Sequence, residues 1–192
     1  MPSRHRRWGV ALLEYLLGFL ALAVFAAMAF GHGTPTQQQL IGAFQWGAAL
    51  AVAELMLLVA WRRGPVNRLI IGANVWLILG GLAGFTQQWW FLRLYERLGE
   101  SSLFATMFVV GLATTAGTPS GFVGTAGARP RVMLASVALL VAVGAAFVVA
   151  QANQGNTKIA AVLPVIGLSW LSRGLKHFAL GQATGHAHRP PG

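Results

Sequence analysis

A chain of 192 residues that is 56% hydrophobic and 9% charged, with a mean hydropathy of +0.62, lacks the polar surface of a soluble domain, where about a quarter of residues are charged. Its net charge of +10 comes from cations gathered at the ends of apolar runs, a pattern that orients a chain in a membrane and meets anionic headgroups, not nucleic acid. The absence of cysteine excludes disulfides, thiolate metal sites and cysteine nucleophiles.

The basic start, with Arg4, Arg6 and Arg7 before Trp8, leads into an apolar run over 9–30. This run is longer than the roughly 7–15 residues of a signal-peptide core and it holds Glu14, so it predicts a first transmembrane helix. A polar, uncharged turn with glycine and proline follows. The run 40–61 predicts a second span, carries Glu54 inside it, and is closed by Arg62 and Arg63. After a short basic turn comes a third span over 69–90, ending in Trp89 and Trp90.

The connector that follows holds Arg93, Glu96, Arg97 and Glu100 at helical spacing, which predicts an interfacial helical turn. The run 101–117 is short and crosses only where the bilayer thins. Residues 117–131 read as a flexible glycine-rich loop whose Arg129 and Arg131 sit at the anionic leaflet; it is not a P-loop, because no lysine stands at Walker spacing. A fifth span is predicted over 132–150. The weakest, 159–175, is interrupted by Pro164, with Arg173 and Lys176 able to snorkel at its end. Residues 181–192 have the composition of a disordered cytoplasmic tail.

The expected fold is an all-α polytopic transmembrane bundle of about six spans, one helical domain over 1–180. Threaded this way, nearly all cations fall on one side, leaving only Arg93, Arg97 and Lys158 on the other. The positive-inside rule then puts both termini in the cytoplasm. The expected setting is a bacterial cytoplasmic membrane with anionic headgroups on the inner side, with a membrane protein partner possible.

Depth follows from a rise of ~1.5 Å per residue. Glu14 lies roughly 9 Å in from Trp8, Glu54 roughly 10 Å in from Trp61 and Asn74 roughly 8 Å in from Leu69, so three helices bring polar groups to one level. Ala43, Gly47, Ala51 and Glu54 share one face, as do Ala11, Glu14, Gly18 and Ala21. Small residues mark close helix approach in a bilayer, so both carboxylates are expected to point inward. The expected site is therefore Glu14, Glu54 and Asn74, with the carboxylates sharing a proton or a cation and the amide donating to them. Gly80 and Gly84 are expected to form a packing face.

No histidine falls inside a span, so no haem, metal or other cofactor is expected. Ser120 beside Gly121, with His177 beyond the last helix, resembles the serine and histidine of rhomboid proteases, but the histidine and asparagine that family needs on the second span are absent. The size and helix count are similar to the substrate-binding components of energy-coupling transporters, without a motif that would establish membership. Three function classes follow, in this order: a small carrier or transporter-like component, a non-catalytic accessory subunit of a larger membrane complex, and an intramembrane enzyme, for which no nucleophile or cofactor motif is found.

Overall fold

The computed structural model describes residues 19–31, 33, 35–60 and 67–180; Glu14, Arg62, Arg63, all histidines but His177, and the tail 181–192 lie outside them. Every regular element among the described residues is helical: α1 (Leu20–Phe30), α2 (Gln37–Ala60), α3 (Arg68–Phe85), α4 (Trp89–Leu98), α5 (Ser101–Gly117), α6 (Arg129–Ala152), and α7 (Leu163–Leu180), which is preceded by a π-helical turn, Lys158–Val162. Four helices are long and apolar enough to cross a membrane, counting that turn with α7, or five if α4 and α5 together make one broken span. These helices are compatible with a multi-pass membrane protein. In the region expected as the first span, the described helix begins at Leu20 and has 11 residues, about 16 Å of rise.

Helix boundaries follow local chemistry. Thr36 and Gln39 form a capping box before α2: the Gln39 N–H donates to Thr36 Oγ1 at 3.3 Å, and the Thr36 N–H donates to Gln39 Oε1 at 3.0 Å. Asn67 caps α3, its Oδ1 accepting the Leu69 N–H. Helix α4 ends at Gly99, whose φ of 53° is the left-handed conformation that glycine adopts without strain. Pro130 stands at the start of α6, where its missing N–H costs no helical bond. Pro164 cannot donate to the carbonyl four residues back, and just before it the ladder widens, with the Leu163 N–H donating to Lys158 O.

The described residues fall into two compact units, with α3 passing from one to the other between Gly72 and Ala73. The first holds α1, α2 and most of α3. Helix α1 packs on α2, and Phe25, Phe44 and Trp76 form a core with ring centroids 4.7–5.0 Å apart. Glycines let α3 approach α2 closely: a Cβ on Gly80 would strike the Phe44 ring, and one on Gly81 would strike the Ala48 Cβ and stand 2.9 Å from Phe44 O. Gly84 meets Ile41 Cγ2 at ordinary contact distance, 3.4 Å from its Cβ position. Of the expected Gly80/Gly84 pair, Gly80 is thus the tight member, and its neighbour Gly81 shares the crossing.

The second unit contains the start of α3 and α5, α6 and α7. Its core includes Phe104, Met107, Phe122, Leu139 and Val143, all almost fully buried. The expected flexible loop is instead packed: Phe122 and Val123 are each 1% exposed, and Arg129 and Arg131 belong to the first turn of α6. The cause is Arg68. Its Nη1 donates to Thr118 Oγ1 at 2.5 Å, to Gly121 O and more weakly to Thr114 O, and its Nη2 donates to Ser120 Oγ at 2.6 Å. One guanidinium thus ties the end of α5 to the turn that follows.

Candidate functional site

The inward face of α2 is made of small residues. Ala43, Gly47 and Ala51 are buried, and Glu54 is 6% exposed on the same side. A Cβ on Gly47 would lie 3.0 Å from Leu77 Cδ2 and 3.3 Å from Phe25 Cβ, so neighbouring helices press directly on this face. Glu54 is the only residue of the face with a polar side chain, and it ends among groups from α1 and α3.

The Glu54 carboxylate accepts two hydrogen bonds. The Ala21 N–H donates to Oε1 at 2.8 Å, and Asn74 Nδ2 donates to Oε2 at 3.1 Å. Ala21 lies in the first turn of α1, where the backbone N–H has no partner within its own helix. Glu54 therefore caps α1 from a neighbouring helix, and its negative charge is favoured at the positive end of the helix dipole. Asn74 is fully buried, and among the described residues its Oδ1 has no hydrogen-bond partner.

A carboxylate and a spare carbonyl oxygen thus stand together in an apolar surrounding. On α1, Phe25 lies one turn beyond Ala21 and joins the Phe44–Trp76 cluster, so aromatic packing continues directly from the polar pair. Two donors on a carboxylate offset part of its lost hydration, and the remaining acceptor capacity suits a proton, an N–H-bearing solute or a small cation.

Of the three expected site residues, the structure brings Glu54 and Asn74 together; Glu14 lies outside the described residues. Other polar side chains of the apolar helices are engaged locally. Thr114 and Thr115 hydroxyls donate to carbonyls on their own helix, and so does Ser169, while Ser136 Oγ accepts the Val123 N–H. Thr86, Gln87 and Gln88 are exposed. Ser120 Oγ is held by Arg68, and His177 is exposed in the last turn of α7. Among the described residues, no group of three His, Cys, Asp or Glu gathers in a way that could hold a metal ion.

Sequence reasoning missed the Ala21 N–H. The available signal was weak, since nothing in the uninterrupted apolar run marks a helix start at Leu20. It also missed Arg68 as an anchor, because an arginine at a span end reads equally well as an orienting charge. No family model matches the chain, and neither a curated protein nor a solved structure shows significant similarity to it.

Proposed function

We propose that this chain is a small carrier or transporter-like component of a bacterial cytoplasmic membrane, with about six spans and both termini in the cytoplasm. In this reading the layer of Glu14, Glu54 and Asn74 handles a proton, a cation or a cationic solute. The single observation that carries it is the fully buried Asn74 Oδ1 left without a donor beside a buried carboxylate. A pair serving assembly alone gains most by closing all its hydrogen bonds, because an unsatisfied buried polar atom costs about 1–3 kcal/mol. A pair that receives a ligand keeps an acceptor open.

The amide also offers a simple response to protonation. With Glu54 ionised, Nδ2 faces it as donor, as observed. With Glu54 protonated, the hydroxyl needs an acceptor, and a half-turn of the Asn74 amide presents Oδ1. The pair can therefore register the charge state of Glu54 without any helix having to move. Placement of the termini rests on the cations, which gather on one side when all six expected segments cross.

The test is reconstitution into proteoliposomes with an internal pH-sensitive dye, followed by proton and monovalent-cation pulses. The wild-type chain should move one of them, and Glu54→Gln should abolish the movement while expression and fold persist. Equal flux in the two would overturn the carrier reading. Unchanged flux together with loss of a co-purifying membrane protein would favour the accessory-subunit reading instead.

A further inference from the structure

Donors and close packing around the Glu54 pair narrow what it takes. Two N–H groups face the carboxylate, the Ala21 backbone at 2.8 Å and Asn74 Nδ2 at 3.1 Å. Ala21 stands in the first turn of α1, so the positive end of a helix adds to the field of the two donors. A metal ion seeking the same oxygens meets that positive field. Hard cations such as calcium and magnesium also gather about six or more oxygen ligands, and among the described residues no group of three His, Cys, Asp or Glu assembles.

Space acts against a larger solute. Ala21 and Asn74 are fully buried, and so are Ala51, one turn before Glu54 on α2, and Ala73 and Leu77, which flank Asn74 on α3. One turn further along α2, a Cβ on Gly47 would stand 3.0 Å from Leu77 Cδ2 and 3.3 Å from Phe25 Cβ. A solute bearing an ammonium or guanidinium group enters such a site only by parting the helices. A proton needs no such opening.

The hydrogen bonds balance for a proton. With Glu54 ionised, Oε1 accepts from Ala21, Oε2 accepts from Asn74 Nδ2, and Asn74 Oδ1 is the buried atom without a partner. With a proton on Oε2 and the amide turned by half a revolution, Oε1 still accepts from Ala21, the new hydroxyl donates to Oδ1, and Nδ2 becomes the open group. The number of bonds to the carboxyl group is the same in both states, and one end of a single amide is spare in each. The unpartnered Oδ1 is thus the acceptor that the protonated state uses.

We propose that the ligand of this site is the proton alone, with Asn74 as the positioning residue whose amide orientation follows the charge of Glu54. The inference rests on the carrier reading for the role of the site and deepens it by fixing the substrate class. The step is a proton transfer: a hydronium ion gives up its proton, an O–H bond forms at Oε2, water is released and no electron moves between partners.

The chain has four asparagines, Asn67, Asn74, Asn153 and Asn156, so selective nitrogen-15 labelling of asparagine in the full chain in micelles gives a side-chain spectrum simple enough to follow by NMR. Loss of one signal pair in Asn74→Ser assigns Asn74, and the other three report that the fold persists. The Asn74 pair should move in a single step with pH in the wild type and stay fixed in Glu54→Gln. Sodium or potassium competing for the carboxylate would shift the midpoint by up to about one pH unit per tenfold rise in concentration; no shift is expected. A midpoint that follows either cation, an Asn74 pair that never moves with pH, or one that still titrates in Glu54→Gln would overturn the proposal. The proteoliposome assay separates this inference from the carrier reading: titration without proton flux leaves the proton site standing and removes the carrier, whereas sodium or potassium flux with a cation-dependent midpoint does the reverse.

Discussion

Replacing Glu54 by alanine should destabilise the protein, whereas replacing it by glutamine should leave stability nearly unchanged. The alanine variant strips the acceptor from the Ala21 N–H and from Asn74 Nδ2, now bonded at 2.8 and 3.1 Å. Each orphaned buried donor costs about 1–3 kcal/mol, so the pair amounts to ~2–6 kcal/mol. Bonds between membrane helices fall toward the weak end of such ranges, so a loss of about 2 kcal/mol is expected. Glutamine keeps an oxygen for Ala21. Its amide nitrogen then faces Asn74, whose side chain can turn and present the now unpartnered Oδ1. Glu54→Gln should therefore lie within ~1 kcal/mol of wild type, or slightly above it. Reversible unfolding in mixed micelles with increasing dodecyl sulfate measures both. Equal destabilisation by the two substitutions would refute this account of the polar pair.

Further substitutions test the packing in each unit. Gly81→Val should destabilise by about 1–3 kcal/mol, because its Cβ meets Ala48 and the Phe44 carbonyl, whereas Gly42→Ala on the same pair of helices, with open space around it, should be nearly neutral in the same micelle assay. Gly121→Ala puts a side chain at φ 55° and against Ser136 Oγ, so a loss of at least ~1–2 kcal/mol is expected from the backbone alone. Adding Ser136→Ala should relieve only the steric part, which a double-mutant cycle separates.

The helical elements were legible from apolar run length, because a long apolar run forms a helix without help from distant contacts. The runs at 40–61 and 132–150 correspond to α2 and α6 within three residues at each end. The small-residue face of α2 was equally readable, since helical spacing alone puts Ala43, Gly47, Ala51 and Glu54 on one side. What escaped depends on partners far away in sequence. The loop at 117–131 looked flexible because glycine and threonine favour turns, yet its order comes from Arg68, about 50 residues earlier. Gly81 escaped because spacing alone singled out Gly80 and Gly84, and only the helix crossing shows which glycine sits under Phe44 and Ala48. For the site itself, helix rise gave the levels of Glu54 and Asn74. The Ala21 N–H could not be foreseen while the first apolar run read as one unbroken helix.

The central claim is that the buried Glu54–Asn74 pair takes up a proton or a cation, and the chemical state of the Glu54 carboxyl group reports on it most directly. Infrared difference spectra of the reconstituted chain, acid minus alkaline and with minus without a monovalent cation, resolve carboxyl from carboxylate. The account predicts a band that changes in at least one of these differences in the wild type and is missing in Glu54→Gln. Difference spectra that are the same for the two proteins would mean that Glu54 never changes state, and the pair would then be a joint between helices and not a site.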